Sequence, residues 1–243
     1  MRFERMRPAE IRAAVAAGLP FVLPIGVQEY HGEHLPVGMD LLAVTEVLER
    51  IEPEIVILPP FAWGAASFAV ASPESGTVHV AAEAILPFAQ ALFAGLIAAG
   101  IRNIRGLIHH QTENFAQGMP TDLTFRLAAR NAVFAHLEAT KGRGWWGSPD
   151  SADYYAGHAA GDNPFNWISI HPIMPAGLAY PFDHAGQGET GLMLALAPET
   201  VDMTALGPDA PWYVADAGQA TAEKGEAGVQ LILAHLRGVL GLA

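Results

Sequence analysis

Cysteine is absent from the 243 residues, which excludes a disulfide framework, a thiolate metal site and a cysteine nucleophile. Any metal has to be held by nitrogen and oxygen. Charge is sparse, at 16% of residues, and positive charge is sparser: 13 Lys and Arg against 25 Asp and Glu leave a net charge of −12. Such a surface repels phosphate backbones, so nucleic acid is not an expected partner. A glycine-rich phosphate loop ending in Gly-Lys-Ser or Gly-Lys-Thr, an internal repeat and a low-complexity tract are also missing. The longest apolar run, Ala84 to Ile101, contains Pro87 and Gln90 and reads as a buried helix, not one of the roughly 20-residue spans a bilayer requires. At the N-terminus, Glu4, Glu10 and Arg12 break the apolar pattern, so an amphipathic helix from Pro8 is expected there in place of a signal core. A cytoplasmic protein with no membrane partner is the expectation.

What is present is apolar. Hydrophobic residues make up 51% of the chain, and that area must be buried inside the fold or between subunits. The length suits a single domain over residues 1–243 with a substantial core, and the apolar excess points to a homo-oligomer.

The chain alternates short apolar runs with helical periodicity. Phe21–Ile25, Glu54–Leu58, Ile104–Ile108 and Phe165–Ile170 read as buried strands. Helices are expected from Pro8, from Asp40 to Arg50, Glu83 to Gly100, Thr121 to Ala139 (capped by Thr121 or Asp122), Glu189 to Leu196 and Glu223 to Leu240. Strand-helix-strand order implies parallel pairing with right-handed crossovers. Pro172 and Pro175 are expected to break the fourth strand.

The titratable residues gather where these strands end. Pro24 to Asp40, PIGVQEYHGEHLPVGMD, places Glu29, His31, Glu33, His34 and Asp40 directly after the first strand. Carboxylate and imidazole are ligands for zinc- or manganese-like ions, and in open α/β sheets ligands bind at the strands' C-terminal ends. An extended Glu29–His31 pair would send both side chains to one face. The same residues also read as a solvated loop followed by a helix-capping Asp40, and spacing alone leaves both readings open.

PIGVQEYHGEHLPVGMD resembles the signature of the creatininase-type amidohydrolases, P-x-G-x-x-E-x-H-G-x-H-L-P-x-x-x-D. Ser75-Gly76-Thr77 is similar to that family's Gly-Thr segment, and His184-Ala185-Gly186-Gln187-Gly188-Glu189-Thr190 to its His-x-Gly-x-x-Glu-Thr. The resemblance runs from about Phe21 to Val201. It implies a three-layer α/β/α sandwich with a mostly parallel central sheet and hexamer-like assembly. It also implies a pair of divalent metals, bridged by the Asp and a water, that hydrolyses a carbon-nitrogen bond, often in a cyclic amide. Glu29, His31, Asp40 and Glu113 would be metal ligands, with Asp40 bridging. His184 would protonate the leaving nitrogen, a task suited to an imidazole titrating near neutrality. Glu189 would either support catalysis or favour its helix N-terminus.

The chain departs from the resemblance at His109-His110-Gln111-Thr112-Glu113-Asn114. Creatininase carries Asn-Gly-His-x-Glu-Asn here, so aligning Glu113-Asn114 sets Gln111 on the metal-binding His. A Gln carbonyl is a weaker ligand than imidazole for zinc-like ions. Three arrangements fit: His110 swings in to the first metal, Gln111 ligates a harder ion there, or only the second metal, matched by His31, Asp40 and Glu113, is held. Trp63, Ser75, Trp145 and Trp146 are candidate substrate-binding residues, with the segment from Gly144 to Pro164 as a lid. The expected function is hydrolysis of a non-peptide C–N bond in a small, cyclic amide by a metal-activated water, with one or two Zn2+ or Mn2+ ions per chain. The alternative is a creatininase-like protein with an altered metal site, acting in isomerisation or C–N bond formation or as a ligand-binding subunit.

Overall fold

The structure is a computed structural model and describes residues 1–111, 114–159, 163–208 and 210–242. Four strands, β1 (Phe21–Ile25), β2 (Val56–Ile57), β3 (Ile104–Ile108) and β4 (Ile168–Pro172), form one all-parallel sheet in the order β2-β1-β3-β4. Side chains alternate across it, as strand geometry requires. Phe21, Leu23 and Ile25 of β1 join one core with α3 (Ala82–Ala98) and α4 (Pro120–Lys141), and Ala14 of α1 (Pro8–Ala16) joins them. Val22 and Leu107 face the opposite core, built with α2 (Met39–Glu49), α6 (Gln187–Leu196) and α7 (Ala222–Leu240). The result is the three-layer α/β/α sandwich, with the short α5 (Tyr154–Ala159) outside it.

The site's location follows from the strand order. From β1 the chain crosses to β2 through α2 on one face, then returns past β1 to β3 through α3 on the other. The direction of winding therefore reverses between β1 and β3, and the crevice beyond the C-terminal ends of these two strands is where such sheets bind ligands. The loops after β1 and β3 carry the two titratable clusters of the sequence.

Several element boundaries differ from the sequence expectation. Strand β2 is only two residues long, because the chain leaves the sheet after Leu58 donates its N–H to the Val22 carbonyl, 2.8 Å. That early exit accommodates Pro24 in a central strand, where a missing N–H is otherwise costly: beyond β2 the contact is Phe61, whose N–H donates to the Pro24 carbonyl, 2.9 Å. Phe165 lies in a 3-10 turn, Pro164–Asn166, so the fourth strand starts later than expected and ends with Pro172 instead of being broken by it. Strand β4 is at the sheet edge, where proline is tolerated. Helix α4 starts at Pro120 after Met119, and Asp122 closes the cap by accepting the Met119 N–H at 2.5 Å. Among the described residues no helix is long and apolar enough to cross a membrane.

Close backbone contacts fix the two elements that carry carboxylates. A Cβ on Gly26 would fall 2.6 Å from the Leu41 Cα, so the end of β1 lies directly against the first turn of α2, next to Asp40. Helices α6 and α7 approach so closely that a Cβ on Gly225 would lie 1.8 Å from the Gly191 carbonyl oxygen. That contact seats α6, whose first turn carries Glu189.

Candidate metal centre

Six titratable side chains converge in the crevice, and almost no surface of five of them reaches solvent: Glu29, His31 and Asp40 are each 1% exposed, His110 4% and Glu189 7%. The sixth, His184, is half-buried. Asp40 does not cap α2; the cap position is Gly38, with no side-chain hydrogen bond. Its carboxylate instead faces two imidazoles, with His110 Nδ1 3.2 Å from Oδ2 and His31 Nε2 3.6 Å from Oδ1. His110 Nδ1 is also 3.4 Å from Glu29 Oε2, and His31 Nε2 is 3.6 Å from Glu189 Oε2. Two sets, Glu29/Asp40/His110 and His31/Asp40/Glu189, each bring one ligand atom per residue within 4.8 Å of one another. A third such set is Glu29/His31/His184.

Hydrogen bonds outside the cluster orient these ligands. His31 Nδ1 lies 2.9 Å from the Glu29 carbonyl oxygen. Donation there aims Nε2 at the carboxylates, where loss of its proton would make it a ligand, the orientation typical of a ligating histidine. Glu189 is held from two sides: Oε2 accepts the Ala185 N–H at 2.7 Å just before α6, while Oε1 meets His109 Nε2 at 2.9 Å. Tyr30 donates its N–H to Thr77 Oγ1, 3.0 Å, tying the ligand loop to the Ser75-Gly76-Thr77 motif. His34 Nε2 reaches Thr190 Oγ1 at 2.9 Å, joining that loop to α6.

The electrostatics match a cation site. Burial pulls His31 toward neutrality, but the Asp40 and Glu189 carboxylates outweigh it and raise its pKa to about 9. Burial likewise opposes charge on His110, and its hydrogen bonds to Asp40 and Glu29 raise it to about 10. Burial disfavours the Asp40 and Glu189 carboxylates, yet the neighbouring imidazoles hold both below the usual range. A buried carboxylate cluster needs compensating positive charge, and protons on the imidazoles supply it here. Glu29 Oε1 and His110 Nε2 are buried without a hydrogen-bond partner. Carboxylate and imidazole donors with unsatisfied buried atoms fit a divalent cation.

His110, not Gln111, stands beside the carboxylates. Gln111 adopts φ +48°, a left-handed conformation uncommon for residues with a side chain, and that turn follows directly on His110. Gln111 lines the same cleft, of about 390 Å3. Glu113 lies outside the described residues. His109, which carries no motif of its own, is joined to the cluster through Glu189. His184 Nε2 lies 2.9 Å from the Tyr30 carbonyl oxygen.

The four candidate substrate-binding residues do not line this cleft. Trp63 is 49% exposed on the loop after β2, and Ser75 sits in a 3-10 turn, Pro73–Ser75. Trp145 and Trp146 line a separate cavity of about 320 Å3 with Phe134, Tyr154 and Phe165, because their segment packs against α4. Asp162, within the expected lid, lies outside the described residues. The aromatic wall of the cleft is Phe182, Trp212 and Tyr213, which no sequence motif singled out.

A doubly wound parallel sheet with a buried carboxylate–imidazole cluster at its switch point defines an α/β protein with a candidate divalent-metal centre. The family model for creatininase, described as creatinine amidohydrolase, matches residues 4–240. A creatinine amidohydrolase of Pseudomonas putida is 27% identical over 203 residues, covering 80% of this chain and 71% of that protein. The fold matches a variant creatininase of Zn-Zn type, with TM-score 0.68, 20% identity and 98% of each chain covered. It also matches a manganese creatininase, with TM-score 0.63, 18% identity and 98% of each chain. The chain belongs to the creatininase family of hydrolases acting on carbon-nitrogen bonds other than peptide bonds.

Proposed function

We propose that this protein is a metal-dependent amidohydrolase that opens a small cyclic amide with water. The observation that carries the reading is Asp40: its two oxygens face different imidazoles, and it belongs to both ligand sets. Glu29, Asp40 and His110 would hold one ion and His31, Asp40 and Glu189 the other, with Asp40 common to both. Divalent ions there would supply water deprotonated at neutral pH and a Lewis acid for the amide carbonyl. The side chain of Glu113 is not needed to complete either set, and Gln111 is left as a cleft residue.

The chain's own groups perform the rest. His184, donating Nε2–H to the Tyr30 carbonyl, keeps the Nδ1 lone pair, which would take the proton released as water adds to the amide carbonyl and return it to the departing nitrogen. Burial of Glu29, Asp40 and Glu189 excludes bulk water and strengthens their interactions. His109 and the Ala185 N–H hold the Glu189 carboxylate in place, and Thr77 holds the loop that carries Glu29 and His31. The substrate is a small molecule. The chain is proposed to act as one domain over residues 1–243 and as a homo-oligomer, supported by exposed Phe68, Phe88, Phe134 and Trp146.

The presence of an imidazole beside Glu29 and Asp40 favours this reading over one in which the first metal has been lost. Elemental analysis of protein purified without chelators, with mass-spectrometric assay of creatinine, hydantoin and succinimide, tests it. The expected result is two divalent ions per chain and ring opening of at least one compound. Metal-free protein at saturating zinc and manganese, or loaded protein inactive on all three, would overturn it.

A further inference from the structure

One wall of the cleft carries none of the ionisable groups: Ala69 and Val70 line it, on a segment whose two ends are fixed to other elements. Upstream, a Cβ on Gly64 would lie 2.3 Å from Val27 Cγ1, and the Ala65 N–H donates to Thr121 Oγ1 at 2.9 Å. Downstream, a Cβ on Gly76 would lie 2.8 Å from Val37 Cγ1, and Thr77 Oγ1 accepts the Tyr30 N–H. Between these anchors Ser67 adopts φ +63°. That left-handed conformation persists in a residue with a side chain only where the surroundings enforce it.

His79 supplies that enforcement. Its Nδ1 accepts the Ser67 N–H at 3.0 Å, and the Phe68 ring lies against its own, centroids 5.8 Å apart. Among the described residues, this is the hydrogen bond that joins residues 67–71 to the rest of the chain; the Ala69 N–H bonds within the segment, to Ser67 Oγ at 3.2 Å. His79 is itself held in place. The Val78 N–H donates to the Gln28 carbonyl and the Val80 N–H to the Gly64 carbonyl, each at 2.9 Å. The backbone on either side of His79 is thus tied to the loop that carries Glu29 and His31 and to the start of the wall segment. Both His79 and Phe68 are exposed, so a substitution at position 79 leaves the core untouched.

We propose that His79 is a positioning residue for this site: by accepting the Ser67 N–H it holds Ala69 and Val70 against the bound amide and so sets how tightly substrate is held. This rests on the amidohydrolase reading above. Neither Ala69 nor Val70 carries a group that acts on the breaking bond. Their contact is therefore made equally to bound substrate and transition state, which places the effect of His79 in KM. The role requires an acceptor at the Nδ1 position. Asn can place its Oδ1 there, whereas Leu offers similar bulk and no acceptor.

The test compares wild type, His79→Leu and His79→Asn. Limited chymotrypsin digestion, with cleavage after Phe68 followed by mass spectrometry, reads how firmly the wall is held and needs no substrate. Cleavage should be roughly threefold or more faster in His79→Leu, the scale of one lost hydrogen bond, and near the wild-type rate in His79→Asn. Steady-state kinetics then use metal-loaded protein and whichever of creatinine, hydantoin and succinimide is opened. His79→Leu should raise KM roughly three- to tenfold, with kcat and metals per chain unchanged, and His79→Asn should restore most of the loss. Unchanged cleavage or unchanged KM in His79→Leu, or no recovery in His79→Asn, overturns the proposal and leaves the amidohydrolase reading intact. Joint loss of kcat and metal would assign a structural role and also overturn it. Wild type that opens none of the three rings overturns the functional reading, and this inference falls with it.

Discussion

The imidazole of His184 lies on that of His31, ring centroids 4.3 Å apart and planes 29° apart. One ring belongs to a ligand set and the other to the proposed proton donor, so metal binding and proton delivery share one stack. Replacing His184 by Ala should leave metal content near wild type, since Asp40, Glu29, His110, His31 and Glu189 remain. Turnover should fall by about 10²–10⁴, the usual weight of a general acid. Parallel elemental analysis and rate measurement check this; metal lost together with rate would make His184 a ligand.

Asp40 should behave differently. Asp40→Ala removes the group common to both ligand sets and leaves protonated imidazoles facing fewer carboxylates, so both metal and turnover should be lost. His110→Ala should lose the ion held with Glu29 and Asp40 alone. Gln111→His should leave stoichiometry unchanged, because an imidazole already stands beside those carboxylates. A rise in metals per chain in Gln111→His would mean that His110 does not ligate.

Acidity should act in opposite directions on the metal-free and metal-bound forms. In the metal-free protein His31 and His110 have pKa values of about 9 and about 10, against ~6.5 for an imidazole in an unfolded chain. Their bound protons therefore stabilise the fold fully below about pH 6.5, and that stabilisation is lost as pH rises through their folded values. Metal binding requires neutral imidazoles and so strengthens as pH rises. Thermal denaturation of chelator-treated protein should show Tm falling between about pH 6.5 and 10, and the shift in Tm on adding zinc should grow over the same interval.

The contact between α6 and α7 sets a further expectation. A methyl at position 225 would meet the Gly191 carbonyl at 1.8 Å, so Gly225→Ala must push the helices apart. A cost of about 1–3 kcal/mol is expected from such overpacking, read as a lower denaturation midpoint. Because α6 carries Glu189, activity should decline as well. Gly95→Ala in α3, where an added methyl group would meet nothing within 4 Å, serves as the unstrained comparison and should raise the midpoint, by about 0.5–1 kcal/mol of helix propensity.

The sheet was legible in the sequence because its central strands are largely buried and read as short, mostly apolar runs; β1 and β3 carry the residue limits expected of them. The fourth strand was misplaced because Phe165 is apolar yet packs from a 3-10 turn, and local hydrophobicity does not distinguish the two. Glu29, His31 and Asp40 could be singled out because one short stretch carries them. His110 could not be chosen over Gln111 from residue order, since the choice depends on a backbone turn at φ +48°. Trp212 and Tyr213 were invisible for a related reason: they meet the cluster only through tertiary packing, and no local pattern marks an aromatic pair as belonging to a distant loop.

The two proposed ligand sets draw on the loop after β1, the first turn of α2, the loop after β3 and the first turn of α6. A chain without cysteine has no covalent cross-links. Ions bound at Asp40 would serve as reversible ones, clasping segments from both halves of the sequence at a single point. Such a clasp can form only after the sheet has brought β1 beside β3, so it would favour the finished fold over every partly assembled one, and its release would loosen α6 before the strands beneath it.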